Sequence, residues 1–185
     1  MKLIKNNLSE KLIIDKYFKK LNFKKKGTFN FETDGAYLEL KNKNYKLTVT
    51  TDNISEDIDF FSNDDPKSIA QKITTVNLSD IFAMGALPHS YLLNLHLPNN
   101  INENWLNSFS NELMKIQRKY GFYLLGGDLS KSNKLIVSST FFGFIKKKLE
   151  IFQNKFNLHD DILITGNIGE SKIGLEILKK KFHQI

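Results

Sequence analysis

The stretch Val76–Pro88, VNLSDIFAMGALP, carries two messages at once. Val76, Leu78, Ile81 and Phe82 recur at helical spacing, Gly85 is a natural stop, and Pro88 marks the exit. Into this apolar run the sequence sets Asn77 and Asp80. A carboxylate on a helix suited to a core is costly unless a partner or a cation meets it. Asp80 therefore decides between a plain folded domain and one that builds a site.

Working upstream, Asp65 can cap this helix and Pro66 suits its first position, which predicts a helix over 66–84. The polar segment NISEDIDFFSNDD, residues 53–65, reads as a loop that could lie over a site. YKLTVTTDN, residues 45–53, alternates as a strand. Tyr45, Leu47, Val49 and Thr51 share one face, Lys46, Thr48, Thr50 and Asp52 the other, and Asp52 stands at the end. Before it come a loop around Asp34 and Gly35 and an amphipathic helix over 9–21, with Ile13, Ile14, Tyr17, Phe18 and Leu21 as its stripe.

Working downstream, SYLLNLHLP reads as a strand, and residues 102–120 as a helix striped by Trp105, Phe109, Leu113, Ile116 and Tyr120 and stopped by Gly121. FYLLGGD and KLIVSSTFFGFI are strand-like. After a connector over 146–160, DILITG reads as another strand and the following residues as a short helix. The alternation predicts an α/β fold, with a new unit beginning near residue 160.

The composition narrows the chemistry. The chain has 185 residues, 41% of them hydrophobic, with 15 Phe and no Cys. It is suited to a packed core and has no thiolate or disulfide chemistry. The formal charge of +7 comes almost wholly from dispersed Lys, with Arg118 the single Arg. Solvated faces explain such runs as KKLNFKKK, so no nucleic-acid partner is expected. No signal peptide and no 18-residue apolar run are legible, so no membrane partner is expected and the cytoplasm is the default.

Asp34 in ETDGA, Asp52 in VTTDN, Asp80 in NLSD and Asp128 in GGDLS lie at element ends or beside small residues. Four converging carboxylates would repel one another, and Mg²⁺ removes that cost. Mg²⁺ held by carboxylates and water usually also carries phosphates. Thr50, Thr51 and Asn77 could add oxygen ligands or hydrogen bonds. Each Asp also has a plainer role open to it: Asp34 in a turn, Asp52 as a cap, Asp128 in an Asx-turn. There is no P-loop and no dinucleotide fingerprint. His89, His96, His159 and His183 lack zinc spacing, and Ser138 and Ser139 lack a nucleophile elbow.

The strings TDGA, TVTTDNISEDIDFF, VNLSDIFAMGALP, NWLNSFS, LLGGDLS, STFFGF and DILITGNIGESKIGLEIL together resemble the thiamine-monophosphate kinase family. That family lies in the wider group with aminoimidazole ribonucleotide synthetase and selenophosphate synthetase. The resemblance implies a two-layer α+β domain over 1–155, its mixed or antiparallel sheet carrying helices on one face. That domain would bind ATP and Mg²⁺ and dimerise, with 156–185 opening a C-terminal domain. The implied reaction moves a phosphoryl group from ATP to thiamine monophosphate with no protein nucleophile. Asp34, Thr50, Thr51, Asp52, Asp80 and Asp128 resemble the family's metal-binding positions, and Gly127 and Asp128 its nucleotide positions.

Departures are visible as well. Glu32-Thr33-Asp34 stands where the family has Gly-Asp-Asp. Asp59 occupies the place of a substrate-contacting His, and Gln153, with Lys155 nearby, the place of an Arg. The resemblance thus leaves room for a degenerate Mg²⁺-nucleotide-binding or dimerisation domain, or for another phosphotransferase or synthetase of the group. The strand LIVSSTFFGF is expected at a sheet edge covered by a second copy.

Overall fold

The computed structural model describes residues 11, 15, 32–33, 36–41, 44–151 and 157–179. The expected helix over 9–21, Asp34 and Gly35 of the first loop, and Gln153 and Lys155 lie outside the described residues. The chain divides into two compact units, residues 1–153 and 154–185.

In the first unit, the described residues form strands β1 (Ala36–Glu39), β2 (Tyr45–Ser55), β3 (Leu87–Leu97), β4 (Tyr123–Lys131) and β5 (Ile136–Lys146), with helices α1 (Pro66–Ala83) and α2 (Glu103–Tyr120). The sheet order is β1-β2-β5-β3-β4. All neighbours run antiparallel except β3 and β4, which are parallel and joined through α2. A parallel pair needs such a crossover, because a tight turn cannot return the chain to the same end of the sheet. The fold is therefore α/β with a mixed sheet.

Local chemistry sets the helix limits. The Asp65 carboxylate accepts from the Lys67 N–H at 2.8 Å, just ahead of Pro66. Asn102 accepts from the Trp105 N–H at 3.0 Å, and Gly121, at φ 73°, closes α2 by donating its N–H to the Gln117 carbonyl. A left-handed residue there costs glycine little.

Three expectations are corrected. LIVSSTFFGF is the middle strand, not an edge: β5 has β2 on one side and β3 on the other. Its alternating Val137, Phe141 and Ile145 are buried, as a strand covered by helices requires. Among the described strands, the edges are the short β1 and the largely exposed β4. Second, DILITG forms no strand. Among the described residues of the second unit there is no strand to pair with it, and Ile162, Leu163 and Ile164 are exposed; that unit holds α3 (Glu170–Leu178). Third, residues 53–65 are no free loop. Asn53–Ser55 continue β2, and Glu56 then bridges to Phe60, which is buried.

Two apolar clusters fill the space beneath α1. One joins Ile54, Ile73, Leu95, Phe109, Leu113 and Val137. The other joins Leu78, Ile81, Met84, Tyr91, Phe122 and Phe141. Tyr91 stacks on Phe141 at 4.9 Å, and burial pushes the Tyr91 hydroxyl up to about 12. Outside the sheet, Glu112 of α2 ties to α1 by accepting from Gln71 at 2.8 Å.

The face of β2 that meets α1 is its threonine face: Thr48, Thr50 and Ile54 are buried, while Tyr45 and Thr51 on the other face are exposed. The sheet's second face is not covered by α1 or α2. Phe141 sits in the middle strand with no solvent exposure, so Phe141→Ala should cost about 3–5 kcal/mol. Leu129→Ala on the edge, where the side chain is 70% exposed, should change stability by less than about 0.5 kcal/mol. Urea unfolding midpoints compare the two; equal losses would misplace the core.

Candidate functional site

Between the two apolar clusters runs a polar band. On β5 it is Ser139, between Val137 and Phe141; on α1 it is Asn77, between Ile73 and Ile81. On β2 it is Asp52, between Thr50 and Ile54. The Thr50 hydroxyl donates to an Asp80 carboxylate oxygen at 2.9 Å. One turn back on α1, the Asn77 amide donates to the Ile73 carbonyl and to Ser139 Oγ, each at 2.9 Å. Ser139 is the register partner of Asp52. Thr50, Asp52, Asn77, Asp80 and Ser139 are thus neighbours on the helix-covered side of the sheet.

The Asn77 carboxamide oxygen and the Thr48 hydroxyl are buried, and among the described residues no hydrogen-bond partner meets either. The amide orientation follows from its surroundings. Reversing it would set the oxygen against the Ile73 carbonyl, leaving two acceptors face to face. The orphan is therefore an oxygen, a group whose burial without a donor costs about 1–3 kcal/mol.

The remaining expected site residues lie elsewhere. Thr51 points to the other side of β2, where its hydroxyl bonds the Ser139 carbonyl and meets the Thr140 hydroxyl, each at 3.0 Å. Asp128 pairs in register with Asn94, and Asn94 with Ser138, a row on that same side, which α1 and α2 do not cover. Both Asp52 and Asp128 lie inside their strands, because β2 runs to Ser55 and β4 to Lys131. The cap and Asx-turn roles therefore fall away. Asp34 lies outside the described residues. Among the described residues, no three His, Asp or Glu side chains are grouped so as to hold a metal ion.

Asp59 acts within its own turn. Its carboxylate accepts from the Ser55 N–H at 2.9 Å, and its carbonyl meets Lys72 Nζ. The same turn is pinned by Glu56, which accepts from the Leu135 N–H at 2.8 Å, and by a 2.7 Å Asp57–Lys134 ion pair. Asp57 there adopts φ 65°.

Gly127 is required by close approach. A Cβ at this position would fall 1.7 Å from the Leu93 carbonyl oxygen. β4 and β3 shift register between Tyr91 and Leu92, one step from this contact. Two partnerships are not foreseen from the sequence. Ser139, which lacks the setting of a nucleophile, is the sheet-side anchor of Asn77. Ser130 and His96 Nδ1 lie 2.7 Å apart, two residues beyond Asp128. A Ser within an apolar strand is the available signal for the first; the second depends on strand register alone.

Residues 32–145 match the family model described as AIR synthase related protein, N-terminal domain. The chain belongs to this family. Within it, the chain is 36% identical over 168 residues to the thiamine-monophosphate kinase of Buchnera aphidicola subsp. Acyrthosiphon pisum, covering 91% of this chain and 51% of that protein. It is 38% identical over 133 residues to the thiamine-monophosphate kinase of Haemophilus influenzae, covering 72% and 40%. Among solved structures, AaThiL complexed with AMPPCP and TMP matches with a TM-score of 0.82 and 29% identity, over 96% of this chain and 55% of that one. The chain spans about half the length of the curated relatives it matches. Among the described residues, no helix is long and apolar enough to cross a membrane.

Gly127, just before Asp128, thus has a packing reason in this chain. Gly127→Ala should unpair β4 from β3 and lower stability by at least about 1 kcal/mol. Hydrogen exchange should quicken in 123–131 and stay slow in β5. Unchanged protection of β4 would refute the close approach.

Proposed function

We propose that this chain is the ATP- and Mg²⁺-binding N-terminal portion of a kinase that phosphorylates thiamine monophosphate to thiamine diphosphate. Residues 1–155 form that domain and 156–185 open a further one. The observation that carries the reading is the likeness, over 96% of this chain, to a structure complexed with AMPPCP and TMP.

The donors on the covered side of the sheet suit Mg²⁺. Asp52 and Asp80, the Thr50 hydroxyl and the orphaned Asn77 oxygen are all hard oxygen donors. Bound Mg²⁺ would neutralise and orient the phosphate oxygens of the nucleotide. Asp52 and Asp80 would hold the cation, with Thr50 fixing the Asp80 carboxylate. Asp34 belongs to the proposed metal set as well, whereas Thr51 and Asp128, on the other side of the sheet, would serve a cation of their own, with Gly127 and Asp128 beside the nucleotide. Asp59 would face the acceptor, its carboxylate steadied by the Ser55 N–H. The bond formed joins the γ-phosphorus to a phosphate oxygen of thiamine monophosphate, and ADP leaves. Positioning and charge neutralisation carry such a transfer, so no protein nucleophile is needed.

A second reading, a non-catalytic Mg²⁺-nucleotide-binding domain, is favoured by two observations. The Asp59 carboxylate is engaged in its own turn, and no three-acid cluster exists among the described residues. Both readings are cytoplasmic. Both include a homodimer, supported by the position of β4 at an edge of the described sheet and its exposed Tyr123, Leu124, Leu125 and Leu129. Sedimentation should give twice the chain mass; a monomer at micromolar concentration would refute the dimer.

Calorimetry should detect Mg²⁺-ATP binding that disappears with a chelator, because polyphosphate and carboxylates repel without the cation. Asp80→Asn should weaken that binding, shrink the Mg²⁺-induced rise in Tm, and leave the chelated protein as stable as the wild type or more so. Nucleotide affinity that ignores chelator and mutation would overturn both readings. Formation of thiamine diphosphate from ATP and thiamine monophosphate separates the kinase from the binding domain.

A further inference from the structure

We propose that Asn77 is a positioning residue of the metal site. Its buried carboxamide oxygen accepts a hydrogen bond from water carried by the cation that Asp80 and Asp52 hold. The inference rests on the Mg²⁺ reading above and adds to it a residue outside the acidic set.

The reason lies in a mismatch of hydrogen bonding. Asn77 is wholly buried, and both hydrogens of its amide are used, one on the Ile73 carbonyl and one on Ser139 Oγ. Its oxygen has no donor among the described residues. If the purpose were only to fasten α1 to β5, one donor to Ser139 would suffice, and the unmet oxygen would be a standing cost. The oxygen lies one helical turn from Asp80, whose carboxylate is held by Thr50 of β2. The amide holding it in place is bonded to the register partner of Asp52. An acceptor one helical turn from Asp80, on an amide bonded to the register partner of Asp52, is suited to a donor that arrives with a cation. Mg²⁺ keeps several waters, and their hydrogens are strong donors. Groups that orient a metal's ligands in this way commonly contribute about 10–100-fold in metal affinity.

The same geometry gives Ser139 its part. It sits where an apolar residue would otherwise join Val137 and Phe141, and its hydroxyl sets the angle of the Asn77 amide. The result is a relay of fixed groups running from β5 through α1 toward Asp80.

Two near-isosteric substitutions test this. Asn77→Leu keeps the volume and removes the oxygen. Asn77→Asp keeps an oxygen acceptor and removes the donor to the Ile73 carbonyl. Mn²⁺ binding is followed by electron paramagnetic resonance, and the Mg²⁺-induced rise in Tm by thermal melts of the full chain, each against a chelated control.

For Asn77→Leu, Mn²⁺ affinity should fall about 10–100-fold and most of the Mg²⁺-induced rise should be lost, whatever happens to the chelated Tm. For Asn77→Asp, the chelated protein should melt lower, since an uncompensated charge is buried, yet the metal response should equal or exceed the wild type's. An ordinary packing role would move the chelated Tm and leave the metal response of Asn77→Leu at the wild-type level, overturning the proposal. Should Asn77→Leu fail to fold, Asn77→Asp decides alone: a metal response reduced together with stability overturns it, and one kept or raised supports it. A wild-type protein with no Mn²⁺ or Mg²⁺ response fails at the metal reading itself, an outcome distinct from the other two.

Discussion

The fastening of α1 to the sheet by Asn77 and Asp80 is the constraint on which the rest depends. Two hydrogen bonds, Asn77 to Ser139 and Thr50 to Asp80, join one helix to two neighbouring strands. Each contributes about 0.5–1.5 kcal/mol net, little beside the apolar clusters on either side. Their value is geometric. Hydrophobic packing is non-directional and tolerates a helix that slides or rotates, whereas a donor and acceptor at 2.9 Å do not. The polar band sets the register in which Ile73 meets one cluster and Ile81 the other.

This explains how a carboxylate can stand on a core-facing helix without wrecking the fold. Asp80 is only partly buried, at the end of α1 nearest Met84, where the helix is about to leave the sheet. Its hydroxyl partner comes from a strand face built of threonines. Thr48 and Thr50 place oxygens where valines would have placed methyl groups. A β-branched residue suits a strand in either form, so the strand keeps its propensity while its buried face becomes polar. At the far edge of the sheet the chain needs glycine for a different reason: β4 passes so near β3 at Gly127 that no side chain fits.

The acidic residues stand on the two sides of one sheet. Asp52 and Asp80 belong to the covered side, while Asp128 shares a row with Asn94 and Ser138 on the other. In a sheet this separation follows from alternation: a change of one residue in register exchanges the faces. The shift between Tyr91 and Leu92 therefore determines which side Asp128 serves. At β4 the described sheet ends in an edge, with Tyr123, Leu124, Leu125 and Leu129 exposed.

Much of this was legible in the sequence. Asp65 and Pro66 announce the start of α1, Asn102 and Gly121 the limits of α2, and the oddness of Asp80 points to the polar band it shares with Thr50, because caps, stops and misplaced charges act through neighbours a few residues away. Strand order was not legible. LIVSSTFFGF reads equally well as a covered edge or a central strand, and only its pairing with both β2 and β3 makes it central. Nor was the buried face of β2 legible, since counting apolar residues favours the Tyr45–Leu47–Val49 face, whereas α1 packs on Thr48, Thr50 and Ile54. DILITG has the composition of a strand, but a strand exists only with a partner, and its own unit offers none among the described residues. The chain's local chemistry determined where its elements begin and end and which carboxylate was out of place. Tertiary structure alone decided which faces meet, because burial and hydrogen bonding between distant segments depend on pairings that no single segment encodes.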